Sequence, residues 1–213
     1  LICASNVICH IPDLNDLIIS IDKMLTKNGS FVFEEPYLGS MFEKVSYDQI
    51  YDEHIYIFSA SSISKIFKLY DFELVDVLPQ QTHGGSMRYI IKRKKRDKKS
   101  KNLIKILDNE KLRKLDVIES CVQFKKDCET SKIQLIKKIN KLKDQNKSIC
   151  GYAATSKSTT ILNYCKIDSK TIKFICDTTP EKIGKFSPGM HIPVVDMKYF
   201  KNNITDAIYL FAW

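Results

Sequence analysis

The chain has 213 residues, 44% of them apolar, and a formal charge of +9. That size suits one sizeable core or two small ones, and no apolar run nears the ~20 residues of a helical membrane span, so no membrane partner is expected. Eight basic side chains and one acidic fall within residues 92–101, leaving only +2 elsewhere; with two arginines and no aromatics, this run reads as a solvated linker and no nucleic-acid partner is expected.

Leu1 to Ser5 reads as an apolar strand with Asn6 and His10 beyond its carboxyl end. Asp13 or Asn15 caps a helix from about 13 to 25, in which Leu14, Leu17, Ile18, Ile21 and Leu25 keep helical spacing. Lys27-Asn28-Gly29 stops it, Ser30 to Glu34 forms a strand, and Glu35-Pro36 breaks that strand. Ser59 or Ser61 opens a second helix, with Ile63, Ile66, Phe67 and Tyr70 on its apolar face. Strands at Glu73 to Leu78 and Met87 to Lys92 follow, with a long polar loop between them. Residues 1–92 thus read as the second half of an α/β sheet domain.

Residues 93–147 hold the basic linker and then one or two helices. Leu103, Ile106, Leu107, Leu112, Leu115 and Ile118 recur at helical spacing, as do Leu135, Ile136, Ile139 and Leu142, with alternating charges outside. The apolar repeat is too short for a coiled coil, so a helical connector is expected. Residues 148–213 return to a β-α-β pattern: Ile149 to Ala153, a helix from about Ser158 to Cys165, then Ile172 to Cys176 ending at Asp177. That is a small Rossmann-like domain. The seven cysteines stand singly, without a CxxC pair, which fits reduced thiols in a cytoplasmic protein; the amino end also lacks the basic segment of a signal peptide. Both ends fall inside apolar strand patterns, and we expect a fragment of a longer protein.

Two polar clusters stand out. Tyr47-Asp48-Gln49-Ile50-Tyr51-Asp52-Glu53-His54 gathers phenols, carboxylates and one of only four histidines, and Thr82-His83-Gly84-Gly85-Ser86-Met87-Arg88 adds a glycine pair. On a helical turn, Tyr51 and His54 would share a face, so an imidazole base would sit beside a phenol that holds an enolate oxygen. The same residues also fit a polar loop with packed tyrosines and a solvated His54. Arg88, one of four arginines, suits a bidentate grip on phosphate or carboxylate. Gly151 to Ser158 lacks the glycine a P-loop needs before Lys157, and Ala153 stands where a Rossmann fingerprint needs glycine. Lys157 at a helix amino end still suits an anion such as a nucleotide diphosphate, and it fits simple domain packing as well. Pro188-Gly189 with His191 fits either a structural turn or a ligand loop.

Tyr51-Asp52-Glu53-His54, followed by Phe58-Ser59, resembles the substrate site of the S-adenosylmethionine-dependent sugar C-methyltransferases. The segments Ala4 to Leu14, Thr82 to Arg88, Gly151 to Thr160 and Pro188 to Pro193 match the same family in the same order. The resemblance implies an α/β fold of three parts: the second half of a class I methyltransferase sheet over 1–92, a helical connector over 93–147, and a truncated Rossmann-like C-terminal domain over 148–213. It implies C-methylation of a nucleotide-linked keto-deoxysugar, with His54 as base, Tyr51 stabilising the enolate and Glu53 orienting the sugar or the imidazole. Asn6 and His10 would line the sugar pocket, and Arg88, Lys157 and His191 would add substrate contacts. The main S-adenosylmethionine site, and the cysteine cluster that binds zinc in the family, are expected before Leu1, so the isolated chain should be inactive. The family's glycine at position 153 is alanine here, which weakens any close phosphate approach. Two rival readings remain: an O-methyltransferase of the same fold, and a non-catalytic module that binds a nucleotide sugar or another anion.

Overall fold

In the computed structural model, which describes residues 1–94 and 98–212, the chain divides into two units. One holds residues 1–46 and 52–125, the other residues 47–51 and 126–213. Lys95, Arg96 and Asp97 of the basic run, and Trp213 at the end of the last expected strand, lie outside the described residues.

The first unit contains, in chain order, β1 (Ile2–Ser5), α1 (Leu14–Met24), β2 (Ser30–Pro36), α2 (Leu38–Lys44), α3 (Ala60–Lys68), β3 (Phe72–Gln80), β4 (Ser86–Arg93) and α4 (Lys101–Leu112). Its sheet has the order β1-β2-β4-β3. β1 and β2 are parallel, whereas β4 runs antiparallel to both β2 and β3. The mixture of parallel and antiparallel strands with covering helices agrees with the expected α/β fold. Phe31 and Phe33 alternate onto the buried face of β2 and stack at 5.1 Å, and Phe33 stacks on Tyr89 of β4 at 4.9 Å. Full burial of each such ring stabilises by about 1.5–3 kcal/mol.

The helices form where caps and periodicity agree. The Asp13 side chain accepts from Asn15 N (2.9 Å) and Asp16 N (3.0 Å) at the start of α1, whose Ile18 and Ile21 are buried. Ser59 and Ser62 exchange a reciprocal capping box at the start of α3, which buries Ile63 and Phe67. Glu110 of α4, only 2% exposed, reaches back to Ala60 N (2.7 Å) and Ser61 N (2.8 Å) and accepts from the Tyr37 hydroxyl at 2.9 Å. A buried carboxylate thus satisfies orphan donors at a helix amino end.

α5 (Ile118–Asp144) begins in the first unit and passes into the second at residue 126. The second unit adds β5 (Ile149–Tyr152), α6 (Ser156–Cys165), β6 (Ile175–Cys176), β7 (Val194–Val195), α7 (Met197–Asn202) and β8 (Ala207–Leu210). All its strand pairs are parallel, in the order β7-β6-β5-β8. Chain order reverses direction at β5, which is the switch point of a Rossmann-like sheet. Its core joins Ile139 of α5 to Ile149, Leu162, Ile175, Ile192 and Phe211.

The structure departs from the sequence expectation in four places. β2 runs on through Glu35 and Pro36, where a break was expected, because they pair with Met87 and Ser86 of β4, and Leu38–Lys44 beyond them is helical; Gly39 belongs there because a Cβ would meet the Tyr37 ring at 2.4 Å. The long polar loop after β3 is a tight turn, because β3 and β4 pair as far as Gln80 and Ser86 and a 3-10 turn covers Thr82–Gly84. The strand expected from Ile172 shrinks to Ile175–Cys176, since Thr171 and Ile172 donate back to the Asp168 carbonyl at 3.0 and 2.9 Å. Finally, Tyr51 and His54 share no helical turn. Only Tyr47–Gln49 is 3-10, and the Ile55 and Tyr56 amides both donate to the Cys9 carbonyl instead. Among the described residues, no helix is long and apolar enough to cross a membrane.

Candidate active site

The carboxyl end of β1 is where an α/β sheet presents its chemistry. The Asn6 amide donates to the Glu34 carbonyl (2.8 Å), prolonging the parallel ladder by one residue. Asn6 then turns left-handed (φ 52°), a conformation asparagine tolerates better than most residues. Its Oδ1 is buried and finds no hydrogen-bond partner among the described residues. A buried acceptor without a donor costs roughly 1–3 kcal/mol, so such an atom is suited to a ligand's N–H or O–H.

Beyond Asn6 the chain makes a 3-10 turn, Ile8–His10, held by a buried carboxylate. Glu35, fully buried at the end of β2, accepts from Val7 N (3.0 Å) and Ile8 N (2.6 Å) through Oε1. Cys9 is buried beside it, and burial together with Glu35 pushes the thiol well above its usual range. The Cys9 carbonyl accepts from Ile55 N (2.9 Å) and Tyr56 N (3.3 Å), and the Tyr56 hydroxyl donates to the Pro12 carbonyl at 2.8 Å. His10 Nδ1 lies 2.6 Å from the Glu53 carbonyl. A carbonyl only accepts, so Nδ1 carries the proton and the neutral ring keeps its lone pair on Nε2. These bonds fasten residues 53–56 to the end of β1 and bring the His10 and His54 rings to 5.1 Å.

Four of the expected residues therefore meet here: Asn6, His10, Glu53 and His54. Glu53 contributes through its backbone carbonyl, while its side chain is exposed. Tyr51 belongs to the segment 47–51 of the second unit. Arg88 sits on β4 opposite Glu34, and its Nε (3.2 Å) and Nη2 (2.9 Å) both donate to Glu34 Oε2. Both donors thus close on a single carboxylate oxygen of the protein itself. Thr82 Oγ1 donates to the other Glu34 oxygen at 2.9 Å, so Glu34 ties the Thr82–Gly84 turn to β2. Gly85 (φ 127°) admits no side chain, because a Cβ would lie 2.4 Å from Ser40 Oγ.

The second unit has its own strand-end cluster. Ala153, just past β5, is left-handed at φ 73°, which explains why glycine suits this position. The next amide, Ala154 N, donates to Asp177 Oδ2 (2.6 Å), Thr179 N donates to Oδ1 (2.8 Å), and Lys182 Nζ donates to the Ala154 carbonyl at 2.8 Å. Burial alone would raise the Asp177 carboxyl, but these hydrogen bonds and the Lys182 charge outweigh it and hold it below the usual carboxylate range. Asp177 stands at the strand end where a dinucleotide fold keeps its ribose-binding acid, yet its oxygens are engaged within the chain. Thr155 caps α6 by accepting from Ser158 N at 3.1 Å. Lys157 in that first turn is half-buried; burial lowers its ammonium pKa, against the opposing pull of Asp48. A cavity of about 450 Å³ lies against this turn, lined by Ala154, Thr155, Ser158, Lys182, Lys185 and Pro188 among others.

His191 is exposed on a closed turn. Its amide donates to the Ser187 carbonyl (3.0 Å), Ile192 N donates to Ser187 Oγ (3.0 Å), and Asn163 Nδ2 donates to the Pro188 carbonyl (3.0 Å). A Cβ on Gly189 would strike Asn163 Oδ1 at 1.9 Å, so the glycine here is required by packing. Sequence reasoning missed Glu34, Glu35 and Cys9. For Glu35 a signal existed: it shares the parity of Phe31 and Phe33 on the buried face of a strand, where an unpaired acid is costly.

A model of a methyltransferase domain matches residues 1–77, and a model described as the C-methyltransferase C-terminal domain matches residues 81–213. The chain belongs to the C-methyltransferase family. It is also 27% identical over 205 residues to the C-methyltransferase NovU of Streptomyces niveus, a match covering 96% of this chain and 49% of that protein. The chain thus spans about half the length of this curated relative. Enzymes of the family use S-adenosylmethionine. Within the described first unit, the unpartnered Asn6 Oδ1 and the half-buried His10 suit a polar ligand at the end of β1.

Proposed function

We propose that the complete protein methylates the carbon beside the ketone of a nucleotide-linked deoxysugar. The observation that carries this reading is the His10–Glu53 hydrogen bond, which fixes one imidazole as an acceptor and holds the His54 ring beside it at the end of β1. Bound S-adenosylmethionine supplies an electrophilic methyl group. His54 removes the proton from the carbon beside the ketone, and the C–H electron pair moves into an enolate, whose carbon would take up the methyl group as the methyl–sulfur bond breaks and the sulfur leaves as a neutral thioether. A base fixed within hydrogen-bond reach typically contributes 10²–10⁴-fold to such a step. His10 Nε2 and Asn6 Oδ1 accept from sugar hydroxyls and set the orientation on which the step depends. Tyr51 donates to the enolate oxygen, a role resting on the sequence likeness.

Arg88, bonded to Glu34, serves mainly to position the Thr82–Gly85 turn. In the second unit, Lys157 and the cavity at the amino end of α6 are the proposed anion contacts, with His191 at most a peripheral one. The reading is tested by turnover of the complete protein with a nucleotide-linked keto-deoxysugar and NMR of the product. A new C–CH3 signal, lost in His54→Asn, is expected. An O–CH3 product would assign the site to the oxygen-methylating reading, and ligand binding with no product would favour the binding module.

A further inference from the structure

We propose that Cys9, His10 and His54 form a binding site for a borderline-soft divalent cation of the zinc class, distinct from any cysteine cluster elsewhere in the complete protein. One ligand atom from each of the three residues lies within 4.8 Å of the other two. A tetrahedral zinc with bonds of about 2.0–2.3 Å holds its ligands roughly 3.5 Å apart, so about an ångström of side-chain rotation closes the set. Cysteine sulfur with two imidazole nitrogens is a donor set that zinc, cobalt and copper prefer over magnesium or calcium.

Two further features suit coordination. The His10 Nδ1–H bond to the Glu53 carbonyl is the outer-shell contact that metal-ligating histidines usually make, and it directs the Nε2 lone pair away from that carbonyl. The backbone is also fixed in advance: the Cys9 carbonyl is bonded by both Ile55 and Tyr56, so residues 9 and 54 cannot drift apart. Cys9 is buried whereas the two histidines are half-buried, so a cation would enter past the imidazoles onto the sulfur. Binding forms one metal–sulfur and two metal–nitrogen bonds and releases the thiol proton to solvent. Three protein ligands leave the fourth position to water. A consequence, which rests on the role of His54 given above, is that the bound cation occupies the base and stops methyl transfer.

The test is cobalt titration of the reduced, complete protein, read as an absorbance difference between wild type and Cys9→Ser. Cobalt bound elsewhere is common to both samples and cancels. We expect a thiolate-to-cobalt charge-transfer band with tetrahedral d–d bands, saturating at one equivalent per chain and displaced by zinc. His10→Asn should weaken apparent affinity at least tenfold, with circular dichroism unchanged. A flat difference spectrum, or a band that persists undiminished in His10→Asn, would overturn the site. The inhibitory consequence is read separately: zinc should inhibit wild type and spare Cys9→Ser at the same concentration. A cobalt site without inhibition would leave the metal site standing and contradict the role of His54.

Discussion

The two sheets present the same kind of edge, the carboxyl ends of parallel strands, and treat it in opposite ways. At the end of β1, Asn6 Oδ1 lacks a donor among the described residues, and the half-buried His10 and His54 rings lie 5.1 Å apart. At the end of β5 the polar groups close on themselves, with Asp177 held by Ala154, Thr179 and Lys182. Strand ends in an α/β sheet are places where ligands bind, but the state of hydrogen bonding there separates side chains that can take up a ligand from side chains that hold the backbone.

The largest effect expected from this contrast is at His54. His54→Asn should lower turnover of the complete protein by ~10²-fold or more with the circular dichroism unchanged, because only the proton-transfer group is lost. Wild-type turnover in that variant would dissolve the distinction between the two edges. Next comes Glu35, whose carboxylate holds the turn bearing Cys9 and His10. Glu35→Ala leaves two backbone donors unsatisfied and should cost about 2 kcal/mol of stability, with a further loss of activity as His10 shifts. Denaturant unfolding and steady-state kinetics check both parts.

Asp177 sharpens the comparison from the other side. Asp177→Asn should destabilise by about 1–2 kcal/mol while turnover per folded molecule stays within about twofold, since the Asp177 oxygens are engaged by the backbone and the proposed anion contact here is Lys157. The pH dependence has a definite sign. The folded carboxyl titrates below its ordinary value near 3.8, so its stabilisation is complete above that value and is lost as pH falls through the folded one. Wild type should therefore lose more stability than Asp177→Asn between about pH 5 and pH 3. The smallest effect is at Ala153, held at φ 73°. Ala153→Gly relieves a left-handed alanine and should raise stability by about 0.5–1 kcal/mol, seen as a small rise in Tm.

Much of the fold was legible in the sequence because caps and periodicity are local. Asp13, Ser59 and the spacing of Leu17, Ile18 and Ile21 place their helices to within a residue or two, and the alternation of Phe31 and Phe33 marks β2. The shortened β6 and the helix α2 were not legible, because each depends on a tertiary partner: Asp168 draws back the amides of residues 171 and 172, and Tyr37 packs over Gly39. In the candidate site, Asn6, His10, Glu53 and His54 were marked by their likeness to the family's motifs, yet the bond between His10 and Glu53 spans 43 positions and has no local signature. Arg88 shows the same limit. Its residue type suggested an anion, and only the register of β2 against β4 reveals that the anion is Glu34.

The central claim, that the end of β1 holds the base, is tested most directly by proton exchange at the substrate carbon. The complete protein in deuterium oxide, with the keto-deoxysugar nucleotide and S-adenosylhomocysteine in place of the methyl donor, should exchange the proton beside the ketone. His54→Asn should slow that exchange by ~10²-fold while still binding the sugar nucleotide. Equal exchange by the two proteins would contradict the account and place the base elsewhere.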